Sequence, residues 1–217
     1  MELLTEAGRG RRNTFGEYVL KIVAALAIGG ALGSHAEADA QQFGLSMGET
    51  AAQIKAKGVV LKKVSEGVWS TSYLPYGNKA FDDYRLVISP KLGLCKITAW
   101  ISEIQDSSYG DNTKSKFLSL KQALTQRYGT PANDYDFLRE GAIWRGSNEW
   151  MWSIFKKERT LSSFWGSETT PAKNSVQYIH LAAVGISPDV SMINVSYEFA
   201  NGSKCIDEIR NLGASNL

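Results

Sequence analysis

The segment VSMINVSYEF, residues 190–199, alternates from Ile193 to its end. Ile193, Val195, Tyr197 and Phe199 fall on one side, and Asn194, Ser196 and Glu198 on the other. Side chains two apart in an extended chain share a face, so this is a strand with one packed and one wet surface. Half-wet strands belong to antiparallel sheet, since parallel strands are covered on both faces. The same period recurs in GVWSTSYL, DYRLVISPKLGLCKITAWISEI, RTLSSFW and VQYIHLAAVGIS. The second of these turns at residues 90–93 and reads as a hairpin. EGAIWRG and EWMWSIFKK are read as strands as well, which places Trp150 and Trp152 on one side of a single strand.

Two segments break this rhythm. In SMGETAAQIKAKG, Ser46 and Glu49 are expected to form a capping box. Met47, Ala51 and Ile54 would share a helix face, and Gly58 would close the helix in a left-handed conformation. In TKSKFLSLKQALTQRYGTP, Phe117, Leu120, Leu124 and Tyr128 recur at helical spacing, and Gly129 and Pro131 stop the helix. A short helix is expected after Ser203, with Cys205, Ile206 and Ile209 turned inward. The order is helix, about three strands, helix, about five strands, short helix. That is an α+β chain: antiparallel sheet or sheets with helices on one face, as two tandem helix-plus-meander modules over residues 41–110 and 111–217. One continuous sheet and two separate ones both fit this order.

The first 40 residues read differently. Residues 22–32 are apolar or small and uncharged, too short for the roughly 20 residues that span a bilayer. Arg9, Arg11 and Arg12 precede the run; Ser34, Ala36, Ala38 and Ala40 follow at alternate positions. This is the pattern of a secretory signal, with cleavage expected after Ala40 and Ala36 as second choice. An uncleaved anchor is the alternative. Export would place the mature chain in the periplasm or the medium, with no permanent membrane anchor after cleavage. In an oxidising compartment Cys95 and Cys205 are expected to pair; in the cytosol they would stay buried thiols.

Residues 41–217 carry 20 basic and 17 acidic side chains, a net of +3, with no run of more than two adjacent bases. Nucleic acid is therefore not an expected partner. His180 is the sole histidine of this part, so a His-built metal centre is excluded and neither metal nor cofactor is expected. No phosphate-cradling glycine loop occurs. Asp134 with Asp136, and Glu103 with Asp106, are the available carboxylate pairs, but Asp beside Asn, Gly or Ser is usually a turn former. DSSYGDN, residues 106–112, lacks the alternate acids of a calcium loop and has Phe117 where the closing Glu belongs. The inventory leans away from an enzyme.

Tryptophan stands out instead. Four of the six, Trp144, Trp150, Trp152 and Trp165, lie close together in sequence. Exposed, they would anchor a protein partner or stack on sugar rings; buried, they would form core between the modules. FGLSMGETAAQIKAKG and LKQALTQRYGTP, with the repeated helix-then-meander order, resemble the tandem modules of β-lactamase inhibitor proteins and the single module of small outer-membrane-assembly lipoproteins. The chain departs from them in lacking a lipid-bearing Cys and within-module disulfides, and in its Met47-Gly48-Glu49 helix start. The resemblance implies protein binding in the cell envelope and transfers no binding residue. The expected function is thus an exported, non-enzymatic inhibitor, immunity or envelope-assembly factor with a protein partner. The alternative is a cell-wall or glycan binder or hydrolase, using the four tryptophans beside Asp134, Asp136, Glu140 and Glu149.

Overall fold

The structure, a computed structural model, describes residues 41–173 and 175–214. The basic start, the apolar run and the expected cleavage points at Ala36 and Ala40 lie outside the described residues. Helix α1 (Ala51–Ala56) is followed by β1 (Lys62–Ser65), β2 (Val68–Thr71), β3 (Asp83–Ser89) and β4 (Gly93–Gln105). Helix α2 (Asp111–Tyr128) is followed by β5 (Asn133–Leu138), a short helix α3 (Trp150–Phe155), β6 (Arg159–Trp165), β7 (Val176–Gly185) and β8 (Val190–Phe199). Helix α4 (Gly202–Ala214) ends the described chain. The strands form one antiparallel sheet in the order β1-β2-β3-β4-β8-β7-β6-β5. Each half contributes a helix and four strands, and the last strands of the two halves, β4 and β8, pair at the centre.

Register explains the two faces. Trp69, Leu86, Ile97, Tyr197, Ile179 and Trp165 stand opposite one another across six strands. Leu86, Ile97, Ile179 and Trp165 in that row are buried, and each such side chain removed from water contributes about 1.5–3 kcal/mol. Helix contacts fall on this parity: Lys55 of α1 lies over the Trp69 ring, the carbonyl of Gly129 accepts from Trp165 Nε1, and Thr113 of α2 meets Ser191 hydroxyl to hydroxyl at 2.6 Å. Cys205 of α4 is bonded to Cys95 of β4 with Cα atoms 6.3 Å apart, as expected from the sequence. The neighbouring row, Ser70, Arg85, Thr98, Ser196, His180 and Phe164, points the other way.

Local chemistry fixes the helix starts. The box at the head of α1 is Thr50 with Gln53, not Ser46 with Glu49. Glu49 accepts the Ser46 N–H at 2.8 Å and an ion pair from Lys57 at 2.6 Å, which holds the chain one turn ahead of the helix. Met47 consequently precedes α1 and is exposed. Gly110 precedes α2 at φ 73, and Asp106 supplies the cap: its carboxylate accepts from the N–H groups of Asn112 and Thr113, at 3.2 and 2.7 Å, and from the Thr113 hydroxyl. The residues that faintly suggested a calcium loop are this cap.

Five assignments are corrected. EWMWSIFKK is the helix α3 rather than a strand, so Trp150 and Trp152 do not share a strand face. Trp150, Met151 and Ile154 bury one side of a short turn of helix, and an apolar run of this length fits either period. EGAIWRG is loop, held by Glu158, whose carboxylate accepts the N–H groups of Ile143 and Trp144. Asp134 and Asp136, expected as turn formers, lie in the strand β5, because pairing with β6 from Arg159 to Phe164 overrides the turn preference of Asn and Asp. The halves hold four strands each, not three and five. In α4, Cys205 is buried but Ile206 is exposed rather than inward. Among the described residues no helix is long and apolar enough to cross a membrane.

Candidate binding surface on the outward face of the sheet

Among the described residues the outward parity shows no helix contact like those named for the other side. At its β5 end it is aromatic. Tyr135 and Phe137 are 39% and 47% exposed. Their rings meet edge to face at 6.0 Å, Tyr135 meets Phe164 in the same way at 6.0 Å, and Phe164 stacks on His180 at 4.1 Å. This ladder crosses β5, β6 and β7 through the pairings Tyr135 with Ser162 and Phe164 with His180. One row further along the strands, Trp100, Asn194, Ala182, Ser162 and Tyr135 are aligned. Small residues lie between two aromatic ends roughly 19 Å apart at ordinary strand spacing.

The other half of the face is charged. Lys96 and Glu198 pair across β4 and β8 at 3.6 Å, and Arg85 meets Asp83 at 3.4 Å on β3. Thr98 and Ser196 share a hydrogen bond of 3.0 Å at the centre. The face therefore carries exposed rings at one side and salt links at the other, with Thr98, Ser162, Ala182 and Asn194 buried between them. Rings carry much contact area at little rotamer cost, and a polar surround sets specificity. Edge strand β1 is guarded by Lys62, Lys63 and a bulge, devices that discourage strand addition.

His180 stands at the junction. Burial against Phe164, and then the charge of Lys96, holds its pKa below the ordinary value of 6.5. The unfolded chain takes up that proton first, so stability is fully present above about pH 6.5 and falls as pH drops through the lowered pKa. Urea unfolding at a series of pH values between 7.5 and 5 should show this loss, and His180→Gln should flatten it. An unchanged slope in the variant would contradict the assignment to His180.

The sequence candidates separate into different places. Trp150 and Trp165 are 5% and 1% exposed and belong to the core; Trp150 packs on Gly110 and under Lys114. Trp144 and Trp152 are half-buried and stack on each other at 4.8 Å, with Phe155 against Trp152 and Lys156 over that ring at 5.7 Å. The four do not form one patch.

The carboxylates are largely occupied in structural roles. Asp134 bonds Lys121 and Ser163, and Asp136 bonds Arg159 at 2.5 Å, both on the helix-bearing parity. Burial raises the Asp134 pKa, but the hydrogen bonds from Lys121 and Ser163 and the Lys121 charge outweigh it and leave the pKa lowered. A lowered carboxyl is ionised at neutral pH, the wrong state for a general acid. Glu149 accepts the N–H groups of Arg145 and Gly146, at 3.0 and 2.8 Å. Glu140 is exposed beside a turn. Among the described residues, no three His, Cys, Asp or Glu side chains gather as a metal site.

Tyr135, Phe137, Phe164 and His180 were not singled out as a surface by the sequence reading. The alternation of Tyr135 and Phe137 within NDYDFL was the available signal, masked by the turn-forming residues around it. The architecture and the disulfide define an α+β protein whose covalent link is consistent with life outside the cytosol. Comparison with protein-family models, curated proteins and solved structures found no match to this chain.

Proposed function

We propose that this protein is a non-enzymatic protein-binding module of the cell envelope, working in the periplasm or after secretion as an inhibitor, immunity or assembly factor. One observation carries the reading: a broad eight-stranded sheet turns one parity to its helices and presents on the other an aromatic ladder, Phe137, Tyr135, Phe164 and His180, beside paired charges. The repeated order of one helix and four strands supports descent from tandem modules of the inhibitor-like kind. The occupied state of Asp134, Asp136 and Glu149 weighs against glycan hydrolysis.

The test is co-purification from the native envelope fraction, comparing three versions of the protein. Wild type and Trp144→Ala with Trp152→Ala should recover the same partner in like amounts. Tyr135→Ser with Phe137→Ser should lose most of it, on the order of tenfold, since truncating two interface rings commonly removes 1.4 kcal/mol or more. Equal recovery by all three would refute the outward face as the contact. Sedimentation with peptidoglycan by wild type and by the Tyr135→Ser with Phe137→Ser variant, lost only in the tryptophan variant, would instead support the glycan reading.

A further inference from the structure

The helix-bearing side contains a cleft that this reading does not use. It lies where the C-terminal half of α2 faces residues 41–44 and the loop before β3, with Val195 and Tyr197 of β8 also lining it. Its volume is about 420 Å³, within the usual range for small-molecule sites. Phe43, Phe81, Leu120 and Leu124 supply apolar wall. Phe43 is held at φ 54, a left-handed conformation that β-carbon-bearing residues avoid, and its ring packs edge-on to Phe81, Tyr84 and Tyr197 at 5.4–5.9 Å.

Two donors in this cleft are left over. Arg127 is the only charged residue of the lining among the described residues. Its guanidinium donates to the Gln41 carbonyl at 3.3 Å and lies 5.4 Å from the Tyr128 ring centre, with no carboxylate in ion-pair distance among the described residues. Tyr197 is 7% exposed, yet its hydroxyl makes no hydrogen bond to a described residue. Burial raises the Tyr197 pKa further than the nearby Arg127 charge lowers it, so the group stays a donor at any physiological pH. Tyr128 stands between the two, its ring centre 6.3 Å from that of Tyr197. A guanidinium without a carboxylate partner and an unbonded tyrosine hydroxyl lining the same cleft, set in an apolar wall, match a group that only accepts hydrogen bonds and carries negative charge.

We propose that this cleft binds a small monocarboxylic acid with an apolar body, its carboxylate held by Arg127 and the Tyr197 hydroxyl and its hydrocarbon against Phe43, Phe81, Leu120 and Leu124. The site is independent of the outward sheet face, so either assignment can fail without the other.

Calorimetric titration of the full chain with octanoate tests it, with 1-octanol as the uncharged probe of the same body. Octanoate should saturate one site, and octanol should bind at least tenfold more weakly. Arg127 is exposed, so Arg127→Gln leaves the fold intact and should weaken octanoate about tenfold, the scale of one charge-assisted hydrogen bond. Tyr197→Phe, checked for an unchanged melting profile, should weaken octanoate while leaving octanol unchanged. Equal binding of acid and alcohol, an Arg127→Gln variant indistinguishable from wild type, or no saturation by about 5 mM octanoate would each overturn the proposal.

Discussion

Removing the bond between Cys95 and Cys205 is expected to lower stability by about 4–5 kcal/mol. The bond spans 110 residues of sequence, and constraining a loop of that length in the unfolded chain contributes this much in the chain-entropy model. Both sulfurs are fully buried, so the loss is felt inside the core. The link also organises its surroundings. Glu208 of α4 accepts from Ser89 and from the Lys91 N–H at 3.2 Å, and Asn201 donates to the carbonyls of Leu92 and Leu94, both at 3.1 Å. Ile209 packs over Gly67. Without the bond, α4 should be the first element to open, since these contacts alone would hold it. Urea unfolding of Cys95→Ala with Cys205→Ala should show the full decrement, with a melting point lower by about 10–20 °C. A loss below about 1 kcal/mol would mean that the unfolded chain is not the open coil the argument assumes.

Gly93→Ala is the second large effect, expected to cost about 3 kcal/mol or more. Gly93 sits at φ 68, and a β-carbon there would lie 2.0 Å from the Gly48 carbonyl oxygen. That neighbour is main chain, bonded on both sides: the Gly48 N–H donates to Leu94 and the Leu94 N–H to Glu49, at 2.9 and 2.8 Å. It cannot swing aside as a side-chain tip could. Left-handed strain adds about 1 kcal/mol. Gly58→Ala is the control, because Gly58 has φ 83 but nothing within 4 Å of the added carbon. It should cost only about 1 kcal/mol. Chemical denaturation of the two variants separates steric from conformational cost; equal losses would contradict the close approach of residue 48 to β4.

Much of this fold could be read from alternation and helix punctuation. The strand at residues 190–199 has the bounds its pattern implied, and α2 ends at Gly129 as expected. Those signals are local and strong. The failures share a cause. In α3 the run WMWSIF is too short for its period to be decided by itself, and only packing of Trp150, Met151 and Ile154 selects helix. In β5 the residues favour a turn, and only β6, twenty residues later, makes them a strand. The aromatic surface depends on both elements, so it was invisible until they were placed. The disulfide was easier: an even cysteine count and an expected oxidising compartment carried it without knowledge of the sheet order.

The pairing of β4 with β8 joins the two half-sheets and makes one wide surface from two narrow ones. Width matters, because a stable protein contact needs about 800 Å² from each partner. Four strands would supply that area only in full, whereas eight leave room for a polar rim.

The most direct measurement is site-specific photo-crosslinking in living cells. A photoreactive phenylalanine analogue would replace Phe164 on the outward face, or Leu118, which is exposed on α2. The account predicts a discrete, saturable adduct with an envelope protein from position 164 and none from position 118. Adducts from position 118 alone, or no adduct from position 164 under conditions where the protein is folded and disulfide-bonded, would contradict it.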